Sequence, residues 1–118
     1  YWGEYDRNLR ARLPSNYSAL DQGGVGSNGH MFALLAPSEQ VRRELMGELK
    51  KVGVASTSHY EPLHSSPFAT NVEARGGIEL PVVDELSSRL LRLPMWSAEG
   101  LPVEEISASV LTSISRLN

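Results

Sequence analysis

Met31-Phe32-Ala33-Leu34-Leu35-Ala36-Pro37-Ser38-Glu39-Gln40 is the stretch on which the reading of the fold turns. The apolar run from Met31 to Ala36, set between Gly29 and Pro37, has the length of a buried strand and is too short for a helix. Ser38 then offers a side-chain oxygen to cap a helix, and Glu39 stands in its first turn, where a carboxylate meets the positive end of the dipole. Val41, Leu45, Leu49 and Val52 follow at i, i+4, i+8 and i+11, so the spacing predicts an amphipathic helix with one face toward a core. Lys50 and Lys51 suit its last turn, and Gly53 suits a left-handed C-terminal cap.

On the N-terminal side, Trp2, Tyr5, Leu9 and Leu13 fall at helical spacing until Pro14, which predicts a helix from Trp2 to Leu13. Residues 15–29 are rich in glycine, serine and asparagine and read as a loop. The glycines at 23, 24, 26 and 29 do not match a dinucleotide or P-loop spacing, and no Gly-Lys-Ser/Thr follows them. Beyond Gly53, Val54 to Ser58 reads as a short strand that releases a loop, His59 to Pro67. Residues 68–80, with Gly76-Gly77, read as a mobile connection. Pro81 at N1 opens a helix whose Val83, Leu86 and Leu90 share a face as far as Leu91. Arg92 to Trp96 is expected as a short edge strand, because Pro94 cannot donate to a ladder. Pro102 opens the last helix, with Val103, Ile106, Val110, Ile114 and Leu117 as its apolar stripe. The expected fold class is α+β, a short sheet covered by amphipathic helices.

A chain of 118 residues is one domain of ordinary size. Eleven basic residues against fourteen acidic ones give a net charge of −3, and no basic run exceeds two residues, which speaks against a nucleic-acid partner. With no cysteine, disulfides, zinc-thiolate sites and thiol catalysis are excluded. No long apolar run or signal-like start is present, so no membrane association and a cytoplasmic location are expected. The opening Tyr1-Trp2-Gly3-Glu4-Tyr5, without an initiator methionine, reads like a chain cut from something longer.

The chemistry concentrates in His59-Tyr60-Glu61-Pro62-Leu63-His64-Ser65-Ser66-Pro67, which packs two imidazoles, a phenol, a carboxylate and two hydroxyls into nine residues stiffened by Pro62 and Pro67. Three readings follow: a ligand-facing loop mounted on a strand end, a metal site built on His59, Glu61 and His64, or a structural loop with Tyr60 and Leu63 as core anchors. The metal reading lacks the HExxH spacing and a third nearby histidine. His30, directly before the apolar strand, reads as a structural histidine. Neither Ser65 nor Ser66 sits in a strand-turn-helix elbow, so neither reads as a nucleophile. Lys50 and Lys51, the only lysines, are adjacent on a polar helix end, where both stay solvated and charged and neither suits an imine.

From Asn28-Gly29-His30-Met31-Phe32 through the His59 to Pro67 loop, Leu80-Pro81-Val82 and Ser88-Arg89-Leu90-Leu91-Arg92-Leu93-Pro94, the sequence resembles the C-terminal part of the DegT/StrS family of pyridoxal-phosphate sugar-nucleotide aminotransferases. Its wording is most similar to dTDP-4-amino-4,6-dideoxygalactose transaminases, which act on dTDP-4-keto-6-deoxyglucose. Phe68 and residues 69–79 depart from the pattern. The resemblance implies that 1–118 is the small domain of a fold-type-I transferase, with 1–13 as an interdomain helix and with the pyridoxal phosphate, its lysine and its aspartate on a large domain. No cofactor is expected on this stretch alone, which would be inactive by itself. The full enzyme would be a homodimer transferring an amino group from glutamate to a nucleotide-linked 4-keto-6-deoxysugar, in deoxysugar biosynthesis of the lipopolysaccharide or O-antigen kind. By similarity, His59, Tyr60 and His64, then Ser65 and Ser66, contact the nucleotide-sugar substrate. If Trp2, Tyr5 and Trp96 face the large domain, the chain alone exposes apolar surface and self-associates. The rival classes are a non-enzymatic small-molecule-binding or regulatory α+β module and a small metal-dependent enzyme with His59 and His64 as ligands.

Overall fold

The computed structural model describes residues 1–21, 28–67, 79–96 and 99–117. Among them run α1 (Trp2–Leu9), β1 (Ser18–Ala19), β2 (Phe32–Leu35), α2 (Glu39–Lys51), β3 (Thr57–Ser58), α3 (Pro81–Arg89), β4 (Leu90–Leu93) and α4 (Val103–Leu117). The glycines at 23, 24 and 26, Phe68 and the expected connection up to residue 78 lie outside the described residues.

The strands form one antiparallel sheet in the order β1-β2-β4-β3. β2 is the buried strand expected from its composition, and all four of its residues are buried. Its register on β4 sets Phe32 opposite Leu93 and Leu34 opposite Leu91. Side chains alternate across a strand, so these four share one face, where they meet Tyr5 and Leu9 of α1, Leu45 and Leu49 of α2 and Val110 and Ile114 of α4. Ala33, Leu35 and Leu90 fill the other face, with Leu20 and Met31 packed against them. Helices α1, α2 and α4 therefore cover one face of a small sheet. The α+β class is as expected.

α2 begins and ends as its sequence dictates. Ser38 Oγ accepts from the Val41 N–H at 3.2 Å. At the other end Gly53 adopts φ +80°, its N–H donates to the Lys50 carbonyl at 3.1 Å, and the Val54 N–H donates to the Leu49 carbonyl at 2.9 Å. This pair of bonds is a Schellman cap, closed by two buried side chains, Leu49 and Val54. Val52, expected on the apolar stripe, is instead 51% exposed, because the cap turns the chain away before that position reaches the core.

Other expectations need correction. α1 ends at Leu9, and the Arg12 and Leu13 amides still bond back to the Leu9 carbonyl as a tight turn. β1 lies inside the stretch read as loop, since two residues are too few to show an alternation. α3 ends at Arg89, and Leu90 and Leu91, read as helix, open β4. β4 is an inner strand paired on both sides, where an edge strand was expected, and Pro94 falls just past the ladder. An apolar run followed by proline is ambiguous between helix end and strand, and pairing with β2 decides it. Tyr5 does not face outward: it is fully buried, stacks on Phe32 at 5.1 Å and donates its hydroxyl to the Pro94 carbonyl at 3.0 Å. Trp2 packs against the same ring at 5.7 Å, while Trp96 is exposed. None of the α3 residues is buried, and Val82, Val83 and Leu86 face solvent.

Gly53 and Gly47 carry opposite expectations. Gly53→Ala places a Cβ in the left-handed region and destabilises by about 1 kcal/mol. Gly47, mid-helix with open space around its Cα, gains about 0.5–1 kcal/mol on Gly47→Ala. Shifts of the urea midpoint in opposite directions check the pair. Burial also pushes the Tyr5 phenol well above its ordinary pKa, and Tyr17 moves the same way, by burial first and by the Glu44 carboxylate second. A raised phenol pKa stabilises the fold fully below the unfolded value of about 10, and that contribution is lost as pH rises past it. Tyr5→Phe costs about 1 kcal/mol at pH 7 through the lost hydrogen bond, and leaves a shallower decline in stability between pH 9 and 11.

Candidate functional site

β3 is held on the outer side of β4 by the pairs Thr57 to Arg92 and Ser58 to Leu91, so the chain leaves the sheet edge at Ser58 and His59 is the first residue of the loop. Pro62 and Ser66, both extended, bracket a single 3-10 turn from Leu63 to Ser65. Ser65 Oγ donates to the Pro62 carbonyl at 3.1 Å and Ser66 Oγ to the Leu63 carbonyl at 2.8 Å. Both hydroxyls thus shape the turn. The loop borders a cleft of about 480 Å³, walled by Glu39 and Arg42 at the start of α2, by Ser58 to Pro62 and Ser65, and by Asp84, Ser87 and Ser88 of α3.

The wall from α3 has a simple origin. At about 100° per residue, Asp84, Ser87 and Ser88 occupy the side of the helix opposite Val82, Val83 and Leu86. The helix therefore turns polar groups to the cleft and apolar ones outward. His64 Nε2 lies 2.8 Å from Asp84 Oδ1. A carboxylate only accepts, so Nε2 carries the proton in this bond. The Tyr60 ring packs against His59 at 5.7 Å and has the Arg92 guanidinium 5.9 Å from its centroid, a cation–π contact that ties the loop to β4. His59 Nδ1 and Arg42 Nε are buried and make no hydrogen bond among the described residues.

Of the residues singled out from sequence, His59, Tyr60 and Ser65 line the cleft, whereas His64 and Ser66 share the turn without lining it. Tyr60 and Leu63 are 78% and 87% exposed, so neither anchors the core. His30 is exposed and pairs locally, with Nδ1 2.6 Å from Asn28 Oδ1. Among the described residues no group of three His, Asp or Glu is placed to hold a metal ion, so the metal reading finds no ligand set there. No described helix is long and apolar enough to cross a membrane. Sequence reasoning missed Arg42, Asp84, Ser87 and Ser88. The last three carried a signal, polar residues at i, i+3 and i+4 on one helical face, while Arg42 carried none beyond its place in the first turns of α2.

Hydroxyls, a phenol, an imidazole and carboxylates in one cleft can both donate to and accept from a polyhydroxylated ligand. Glu39, Glu61 and Asp84 outnumber Arg42, so the cleft suits neutral ring hydroxyls better than a diphosphate. No lysine of this chain is placed to form the imine that holds a pyridoxal phosphate. That imine needs a desolvated lysine, yet Lys50 and Lys51 are exposed, about 12 Å farther along α2 than Arg42. Lys51 is spent on Glu48, whose carboxyl it holds below the ordinary range by a hydrogen bond. Because Tyr60 contributes little to the core, Tyr60→Ala is expected to change unfolding stability by less than about 0.5 kcal/mol, measured by urea titration.

The model for the DegT/DnrJ/EryC1/StrS aminotransferase family matches residues 1–110. No curated protein matches the chain. Among solved structures, the aminotransferase TlmJ from Streptoalloteichus hindustanus aligns with TM-score 0.75 at 23% identity, over 99% of this chain and 30% of that one. Helicobacter pylori PseC, an aminotransferase involved in the biosynthesis of pseudoaminic acid, aligns with TM-score 0.82 at 18% identity, over 98% of this chain and 31% of that one. Spr1654 from Streptococcus pneumoniae, a candidate sugar aminotransferase in its PMP form, aligns with TM-score 0.70 at 21% identity, over 98% and 29%. The chain thus spans about three-tenths of the length of these neighbours, which share its fold. With the family model extending from the first residue through most of α4, the chain belongs to the DegT/DnrJ/EryC1/StrS aminotransferase family.

Proposed function

We propose that this chain is the small C-terminal domain of a pyridoxal-phosphate-dependent aminotransferase that aminates a nucleotide-linked 4-keto-6-deoxysugar, such as dTDP-4-keto-6-deoxyglucose, with glutamate as donor. The observation that carries the reading is the family match over residues 1–110. The cleft beside the His59 to Pro67 loop supports it, since its lining offers paired donors and acceptors of the kind sugar hydroxyls need.

In this reading the cofactor sits on a large domain, works as an electron sink there and takes nothing from the lysines of this chain. The chain supplies grip. Pro62 and the serine-closed turn preorganise the loop, which lowers the ordering cost on binding. His59, Tyr60 and Ser65 face the sugar, while His64 and Ser66 belong to the same turn. The partners are the nucleotide sugar, glutamate, the cofactor-bearing domain and a second subunit of a homodimer.

The test uses the full-length protein with dTDP-4-keto-6-deoxyglucose, glutamate and pyridoxal phosphate, following the aminated sugar by mass. Amination by the whole protein supports the reading, and no amination of any 4-keto-6-deoxysugar overturns it. Tyr60→Ala should lower kcat/KM for the sugar nucleotide roughly ten-fold, the worth of one aromatic contact of about 1.4 kcal/mol.

A further inference from the structure

We propose that His64 is a positioning residue: its imidazole, bonded to Asp84, fixes the loop that carries His59 and Tyr60 beside the cleft, and so sets sugar-nucleotide affinity without touching the ligand. The proposal rests on the reading of the cleft as the sugar-nucleotide site.

Burial does not hold this loop, because Tyr60 and Leu63, its two largest apolar surfaces, stand in solvent. The hydroxyls of Ser65 and Ser66 bond within the turn and fix its shape, and the contact of Tyr60 with Arg92 ties the first part of the loop to β4. His64 ties the turn itself to α3. Its side chain is 17% exposed, and its Nε2 reaches 2.8 Å to an aspartate twenty residues away on α3. Asp84 is itself held: its N–H donates to the Leu80 carbonyl at 3.0 Å, and the far end of α3 is pinned by Arg89 Nε, which donates to the Ala36 carbonyl at 2.8 Å just past β2. A line of bonds therefore runs from the sheet through Arg89, α3 and Asp84 to His64 and the turn.

The consequence is quantitative. A ligand that needs the loop in place binds with an apparent affinity scaled by the fraction of molecules in which the loop is in place. Loosening the strap lowers that fraction and leaves the groups facing the ligand unchanged. The loss then appears in KM for the sugar nucleotide and not in the half-reaction with the amino donor.

The experiment compares the full-length wild type, His64→Ala and His64→Gln, whose side-chain amide can still donate to Asp84, by amide hydrogen exchange and by kinetics with dTDP-4-keto-6-deoxyglucose and glutamate. In His64→Ala the amides of residues 59–66 are expected to exchange several-fold faster, and kcat/KM for the sugar nucleotide to fall roughly three- to ten-fold through KM. The value for glutamate should hold, and His64→Gln should recover both exchange and KM. Unchanged exchange in His64→Ala, equal losses toward both substrates, or failure of His64→Gln to recover either readout would overturn the strap. If the wild type aminates no ketosugar, the functional reading falls, and exchange alone decides whether His64 straps the loop.

Discussion

The antiparallel pairing of Phe32–Leu35 with Leu90–Leu93 is the contact on which the rest of this structure depends. It puts Phe32, Leu34, Leu91 and Leu93 on one face, and three helices close over that face. Each buried side chain of this kind contributes about 1.5–3 kcal/mol by leaving water. The aromatic stack of Tyr5 on Phe32 brings α1 into the same core, and the Tyr5 hydroxyl reaches the Pro94 carbonyl just beyond β4. First and last portions of the chain are therefore joined through one pair of strands.

The same pairing positions the cleft. Because β4 is paired to β2 on one side, its other side is free to take Thr57 and Ser58, and the loop begins where that short ladder stops. The Schellman cap at Gly53 turns the chain from α2 back toward the sheet, so the N-terminal end of α2 and the start of the loop border one space. α3 completes it with its polar side. An amphipathic helix normally buries its apolar face, and here the pattern is reversed, with hydroxyls and a carboxylate inward and Val82 and Leu86 outward.

The balance of charge in the cleft shapes what it can hold. Arg42 is nearly buried, 12% exposed, with its Nη2 3.9 Å from Glu39, so part of its field is already spent. What remains available is a set of neutral donors and acceptors on a preorganised loop. The cleft offers hydrogen bonds and no imine-forming amine, since both lysines lie at the far end of α2.

Much was determined by the sequence alone. Composition and length dictated the buried strand Phe32–Leu35, the capping serine and left-handed glycine dictated both ends of α2, and the stripe from Val103 to Ile114 dictated which face of α4 is buried. The loop from His59 to Pro67 was legible because two prolines forbid a helix and the polar side chains crowd together. Tertiary structure alone decided the rest. β1 and β3 are two residues each, too short for any local signal, and exist because a neighbouring strand offers hydrogen bonds. Leu90-Leu91 is strand because β2 needs a partner, although its local spacing continues a helix. The polar face of α3 that carries Asp84 and Ser87 shows in its spacing, but its meeting with Arg42 and His59, far away in sequence, comes only when the sheet and two helix ends are assembled, because convergence across the fold is a property of packing.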